Sequence, residues 1–255
     1  MKPLIIIIIA LSTGLSCKSH TNIKPPKNTK QNLYNTLNNH FHFLDSIRHY
    51  DTADLMETEN KKVAQSIDFY KQDIINSNDT IDFDFIYVAK SIDKNFCLVS
   101  WDTRMGGTMI DFATVAIYKT NTGLLLSKRI TDTTENAIDE NTLMHYNRIF
   151  SIETNSGKIY LGQGFGQGST ALPWQELRAF KIENNKLENP RIFPKKEFRL
   201  SAEFDTHQFS KNENIPTIKV IDNGKTILLP ITTDKEGFSG KYQTLFFTGT
   251  LYKIK

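Results

Sequence analysis

Apolar positions in the first part of the chain recur at the three- and four-residue steps of an amphipathic helix. The first apolar stripe consists of Leu33, Leu37, Phe41, Leu44 and Ile47. A second stripe follows residues 51–54, with acidic residues at its start, as the N-terminus of a helix favours. The pattern predicts helices over roughly 31–48 and 54–76, which together form a helical segment over residues 31–76.

Beyond Asn76 the apolar residues alternate with polar ones, as in a β-strand that has one face in water. The first such strand is predicted at 81–87. Further strands are predicted at 96–101, 110–118, 124–130, 148–153, 158–161, 176–182, 197–203, 217–221, 225–229 and 242–254. The turns at 155–158 and 222–225 carry glycine in the manner of hairpins. We therefore expect an antiparallel β domain over residues 77–255.

Within this domain, a faint internal repeat covers residues 87–126, 148–187 and 217–254. Each unit contains a strand, a tight polar turn, a short apolar strand, a longer loop and an aromatic strand. Such units are typical of propeller-like blades, although three are few for a closed propeller, and meanders packed as a sandwich explain the same pattern. The predicted fold class is therefore mainly β, with antiparallel meander repeats, propeller-like or sandwich, behind an N-terminal helical hairpin.

The N-terminus combines Lys2, an unbroken apolar run over residues 4–11, and a short stretch of small residues that ends at Cys17. A positive start, an apolar stretch and small residues are the order of a secretory signal. The run is well short of the roughly twenty residues that a membrane-spanning helix needs. The sequence therefore predicts export or anchoring rather than a membrane span.

Residues 14–17, Gly-Leu-Ser-Cys, resemble the lipobox of bacterial lipoproteins, with leucine one position later than that family prefers. The resemblance implies a signal peptide over residues 1–16, acylation of the Cys17 thiol and a lipid-anchored basic linker over residues 17–30. It also implies a cell-envelope protein that is anchored in the outer membrane and faces the periplasm. The alternative is a plain secretory signal cut near Ser16, with Cys17 as a free thiol.

Charge is distributed unevenly along the chain. The whole chain carries +3, but its first 30 residues hold five lysines and no acid, so residues 31–255 carry −2. A nucleic-acid-binding protein would concentrate positive charge on its folded part, and we therefore expect no nucleic-acid partner. A basic linker suits an anionic membrane surface better. The 39% hydrophobic and 11% aromatic content suffices for a packed core, which excludes a disordered chain.

Cysteine and histidine usage gives no strong metal signal. If Cys17 is acylated, Cys97 has no partner for a disulfide or a zinc site, and its place in an alternating strand predicts a buried, inert thiol. His42, Asp45 and His49 have the residue types of metal ligands. They lie opposite the leucine stripe, however, where a solvated polar face is the simpler interpretation. We expect neither a metal nor a cofactor.

Two glycine-rich stretches, 101–109 and 162–176, each hold one of the two tryptophans. Glycine lets a backbone approach a ligand closely, and tryptophan offers a flat amphipathic face. Both stretches are predicted as long loops at the same end of the sheets, where they could bind a glycan, a peptide or a protein partner. The candidate ligand-binding residues are Trp101, Asp102, Gly106, Gly107, Gly164, Gly166 and Trp174. Alternatively, the glycines mark a strand that another element crosses closely, and Trp101 belongs to the core.

The sequence assigns no catalytic residue, since it contains neither a G-x-S-x-G elbow nor H-E-x-x-H, and no P-loop. The residues with suitable chemistry are Asp102, His145, Glu176, Asp205 and His207. Asp205 and His207 form a pair in a predicted turn. The favoured function is a ligand- or partner-binding β domain. One alternative is an envelope hydrolase that uses Asp102 or Glu176 with His145 beside the glycine-rich loops, and another is a structural assembly component.

Overall fold

The computed structural model describes residues 29–48, 53–77, 86–130, 132–134, 137–139, 144–169, 171–210, 213–233 and 237–255. The predicted signal peptide, Cys17 and nearly all of the predicted linker lie outside these residues. Within the described ranges, no helix has the length and apolar character that a membrane crossing requires.

In its described residues, the helical segment contains three helices: α1 (Thr29–Ile47), α2 (Ala53–Phe69) and α3 (Lys71–Asn76). The second predicted helix is thus divided at Tyr70, where the backbone leaves the helical region with φ −92° and ψ 11°. The consecutive residues Ile74 and Ile75 of α3 are both only 1% exposed, and they pack in the cluster between the helices and sheet I.

Among the described residues, the strands form three antiparallel sheets and one short hairpin. Sheet I contains β1 (Ile86–Lys90), β2 (Phe96–Asp102), β3 (Phe112–Lys119) and β4 (Leu125–Ile130), and the hairpin follows as β5 (Asp132–Thr134) and β6 (Ala137–Asp139). Sheet II contains β7 (Met144–Thr154), β8 (Gly157–Ser169), β9 (Leu172–Glu183), β10 (Lys186–Glu188) and β11 (Arg199–Glu203). Sheet III contains β12 (Lys219–Ile221), β13 (Thr226–Thr232), β14 (Phe238–Phe247) and β15 (Tyr252–Ile254).

Each unit of the sequence repeat corresponds to one sheet. The strands follow meander order in sheets I and III and from β7 to β10 in sheet II, where β11 pairs with β9. The mainly β, antiparallel fold behind a helical hairpin is therefore confirmed. The predicted hairpin turns are also confirmed, because Gly157 and Gly224 join neighbouring strands with φ of 108° and 85°. The predicted strand 242–254 is two strands, β14 and β15, which a turn separates.

The helices and sheets pack in chain order, with a hydrophobic cluster between each layer and the next. Alternate residues of β2 show this arrangement, since Cys97 and Val99 face the helices while Phe96 and Leu98 face sheet II. Leu161 and Leu177 of sheet II pack with Leu245 of sheet III in a third cluster. Sheets I and II are therefore covered on both faces.

The position of Cys97 confirms the predicted buried thiol. Its side chain is a free cysteine with 0% exposure in the cluster between the helices and sheet I. Burial raises the pKa of the thiol to about 12, so that the reactive thiolate is strongly disfavoured.

Candidate functional site

Trp101 lies in the core between the helices and sheet I, with 0% exposure. Its Nε1 donates a hydrogen bond to Asn60 Oδ1 at 2.8 Å, and the amide nitrogen of Asn60 donates to the Thr103 carbonyl at 2.9 Å. The tryptophan therefore fastens the end of β2 to α2. A core position for Trp101 was the alternative interpretation of the sequence. Burial in this position removes the indole face from solvent.

The first glycine-rich stretch is a loop, as predicted, and polar contacts hold its shape. Asp102 accepts hydrogen bonds from the Arg104 backbone at 2.8 Å and from its guanidinium at 2.5 Å, and Arg104 also pairs with Asp45 at 3.0 Å. A Cβ on Gly106 would lie 2.2 Å from the Met109 carbonyl oxygen, whereas one on Gly107 would meet open space. Asp102 and Gly106 thus help to maintain the conformation of the loop. Gly107 is exposed.

The second glycine-rich stretch is a strand and not a loop, because residues 157–169 form β8. Tyr146 of β7 crosses its glycine face. A Cβ on Gly162 would lie 3.1 Å from the Tyr146 ring and 2.8 Å from Leu98, and one on Gly164 would lie 2.7 Å from Met144. The alternating glycines therefore mark a close approach of side chains from neighbouring strands, which is the second interpretation that the sequence allowed.

The two stretches nevertheless meet at one end of the sheets, as predicted. The side-chain amide of Gln167 donates to the Thr108 carbonyl at 3.4 Å. Trp174 pairs with Gly166 across β8 and β9, and its side chain is half-buried. Of the two tryptophans, Trp174 alone keeps part of its surface in solvent at this junction.

The residues proposed for the alternative hydrolase have separate surroundings. His145 stacks on Tyr87 with ring centroids 3.9 Å apart, and its buried Nδ1 has no hydrogen-bond partner among the described residues. Burial lowers the pKa of His145 to about 4. Glu176 is 3% exposed, where it accepts a hydrogen bond from the Tyr146 hydroxyl at 3.3 Å and lies 3.5 Å from Arg199. His145 and Glu176 thus each contact a different set of neighbouring residues.

The other candidates identified from the sequence also have structural contacts. Asp205 accepts a hydrogen bond from the His207 backbone at 2.9 Å, which confirms the predicted turn. In the histidine set of α1, His42 is exposed, Asp45 pairs with Arg104, and His49 lies outside the described residues. In the part of the chain that the structure describes, no group of three potential metal ligands occurs.

One contact set on the helices was not anticipated from the sequence. His40 Nδ1 lies 2.6 Å from Glu59 and its Nε2 lies 3.2 Å from Ser66 Oγ, which is the hydroxyl–imidazole–carboxylate order of a serine hydrolase. Ser66 lies inside α2, however, where backbone N–H groups are engaged in helical hydrogen bonds rather than available to an oxyanion. Lys62 also binds Glu59, at 2.9 Å. We interpret the set as a link between α1 and α2.

A polar concavity lies between sheets I and II, at the end where their tight turns lie. This turn cleft has a volume of about 540 Å³ and is formed by residues from 93–95, 119–123, 156–160 and 181–184. Exposed Lys119, Asn121 and Asn184 are among its lining residues. Amide, hydroxyl and charged groups from four separate turns thus converge on one space.

Asp93 is the centre of the cleft's hydrogen-bond network. One carboxylate oxygen accepts from Ser91 at 2.6 Å, and the other accepts from Lys158 at 2.7 Å and from the Tyr160 hydroxyl at 3.1 Å. Burial alone would raise the pKa of Asp93, but these hydrogen bonds, with one from the Asn95 backbone, lower it to about 2. The hydrogen bond from Lys158 to Asp93 also raises the pKa of Lys158, which remains an ammonium.

Tyr160 joins this network from the floor of the cleft. Its side chain is only 3% exposed, and burial together with the charge of Asp93 raises the pKa of its hydroxyl. The phenol therefore stays protonated and donates to Asp93. The floor of the cleft is a fixed set of donors and acceptors, which favours binding of a polar ligand over proton transfer.

Comparison of this chain with known protein families, curated proteins and solved structures finds no match. The cleft is therefore interpreted from its own geometry. A signal in the sequence could have indicated the cleft, because the polar turns of the first two repeat units have corresponding positions. The sequence does not show the face-to-face packing of the two sheets that brings those turns together.

Proposed function

We propose that this protein is a lipid-anchored component of the bacterial cell envelope that binds a saccharide in the turn cleft. The anchor proposal is supported by Lys2, the apolar run 4–11 and the lipobox-like residues 14–17. Acylation of Cys17 would hold the folded body at the outer membrane, facing the periplasm. The basic linker over residues 17–30 would lie beside the anionic headgroups.

The ligand class follows from the chemistry of the cleft. Its exposed rim offers the amides of Asn121 and Asn184 and the ammonium of Lys119, and its floor holds the Asp93 network. Such a high density of donors and acceptors suits a ligand with many hydroxyl groups. The convergence of these groups from four turns is the observation that carries the proposal.

Calorimetric titration with a soluble N-acetylglucosamine oligomer tests the ligand. The full chain is expected to bind it, and a double variant with Lys119→Ala and Asn121→Ala is expected to bind about tenfold more weakly, because two rim hydrogen bonds are lost. Asn214→Ala, at an exposed position outside the cleft, is the matched control and should bind like the parent. Absence of binding, or equal loss in the control, would refute saccharide binding in the cleft.

The anchor is tested separately by membrane fractionation and intact mass. The parent chain is expected in the membrane fraction with added acyl mass, and Cys17→Ala is expected to lose both. If the parent chain carries no added acyl mass, the anchor proposal is refuted, and the cleft proposal is unaffected.

We also infer that the three sheets are blades of an open, propeller-like stack rather than the halves of a sandwich. The inference is supported by the meander order of all strands but β11 within these sheets and by the succession of hydrophobic clusters from one sheet to the next.

A further inference from the structure

The outer face of sheet III differs from the faces that pack between layers. Ile227, Leu245 and Tyr252 point from sheet III into the cluster that it shares with sheet II. On the opposite face, Phe246 is 38% exposed and Ile221 is 43% exposed. Apolar side chains therefore remain at the surface of the last layer.

The strand register shows which residues share this outer face, because directly paired residues of antiparallel strands point to the same side. One row is Lys219–Leu228–Thr244, a second is Ile221–Thr226–Phe246–Lys253, and a third is Pro230–Tyr242. None of these paired positions holds an acidic residue. The nearest acid in sequence, Asp222, lies in the turn after β12.

Lysine ammonium groups lie against the aromatic rings of this face. Lys219 Nζ is 4.9 Å from the centroid of Tyr242, and Lys255 Nζ is 5.6 Å from the centroid of Phe246. Together with Lys253, they place three cations around exposed apolar side chains. We call this surface, formed by Lys255 and the three rows without their buried members Thr226 and Pro230, the cationic face.

We propose that the cationic face docks on an anionic phospholipid surface. Lysine stems can lie along apolar side chains while their ammonium groups reach phosphate, and aromatic rings suit the membrane–water boundary. A second copy of the chain is a poorer occupant, since a symmetric contact would bring the same lysines together. The proposal concerns residues of sheet III alone and does not depend on acylation of Cys17.

Vesicle co-sedimentation of the full chain with Cys17→Ala tests the proposal without the anchor. The probe is a vesicle of phosphatidylglycerol and phosphatidylcholine in equal parts, compared with phosphatidylcholine alone. Each lysine near an anionic surface contributes about fivefold in affinity, so replacing Lys219, Lys253 and Lys255 by Gln should weaken binding about a hundredfold at low salt. Phe246→Thr should weaken binding to a smaller extent.

The matched control replaces Lys61, Lys94 and Lys186 by Gln, which removes the same charge from surfaces outside sheet III. It is expected to leave vesicle binding nearly unchanged, and circular dichroism should show all variants folded. Equal losses in both triple variants would mean that binding follows net charge and would overturn the proposal. Equal affinity for the two vesicle types would also overturn the proposal. So would a dimer, detected by sedimentation, that becomes tighter when Lys219, Lys253 and Lys255 are replaced.

Discussion

Tyr146 lies across the glycine face of β8 and donates its hydroxyl to Glu176 on the next strand, 3.3 Å away. The ring can occupy this place because Gly162 and Gly164 leave its path free. The alternating glycines of β8 thus have a packing role that their sequence alone allowed but did not decide.

Gly164→Ala is expected to destabilise the protein by about 1–3 kcal/mol, because the new methyl group would lie 2.7 Å from Met144 and 3.0 Å from the His145 carbonyl. Urea unfolding measures the change in free energy. Gly107→Ala is the control, since a Cβ there meets open space. A cost at Gly107 equal to that at Gly164 would contradict the packing role.

Asn60→Ala is expected to cost about 1–3 kcal/mol, because Trp101 Nε1 and the Thr103 carbonyl would lose their buried partner. The free energy of unfolding is best followed by tryptophan fluorescence. Combining Asn60→Ala with Trp101→Phe should cost less than the sum of the two single changes. Strict additivity would show that the two side chains are not coupled.

Asp93→Asn is expected to destabilise the protein at neutral pH by about 1–3 kcal/mol, since Lys158 and Tyr160 lose a charged acceptor. The folded pKa of Asp93 is lowered from 3.8 to about 2, so its stabilising effect is complete above pH 4 and is lost as the pH falls towards 2. Acid titration of unfolding free energy should show this loss in the parent and not in the variant.

His145 predicts a second, separate dependence on pH. Its folded pKa is lowered from 6.5 to about 4, so the unfolded chain takes up a proton first as the pH falls. Stability should therefore decline by about 3 kcal/mol between pH 6.5 and 4. His145→Phe keeps a ring beside Tyr87 and should remove this decline.

His207→Gln is the control for that measurement, because it removes an exposed histidine and leaves the His145 stack intact. If His207→Gln flattens the pH profile as much as His145→Phe, the buried imidazole is not its source.

Cys97 is expected to resist thiol reagents in the folded protein, because it is fully buried and its pKa is raised to about 12. In the Cys17→Ala background it is the only cysteine, so dithionitrobenzoate reports it alone. Reaction should follow unfolding in urea. Rapid reaction in buffer without denaturant would be inconsistent with the buried position.

The sequence was most informative where one local pattern decides the structure. The stripe of α1, the alternation in β2 and the glycines at 157 and 224 predicted the helix, the strand and the turns, since each depends on near neighbours. The division at Tyr70 was not predicted, and a strand over 162–169 was only the alternative interpretation of its glycines, because tertiary packing decides both. The turn cleft was missed for the same reason: Asp93 and Lys158 are 65 positions apart and meet only after two sheets stack.

The agreement between chain order and layer order has a consequence for biogenesis. Each sheet is built from strands that are neighbours in the chain, so a nascent polypeptide can finish the helices and sheet I before sheet III has been synthesised or exported. Each new sheet would then pack on the apolar surface of the layer that folded before it. The layers can therefore fold one after another, in the order in which they are synthesised.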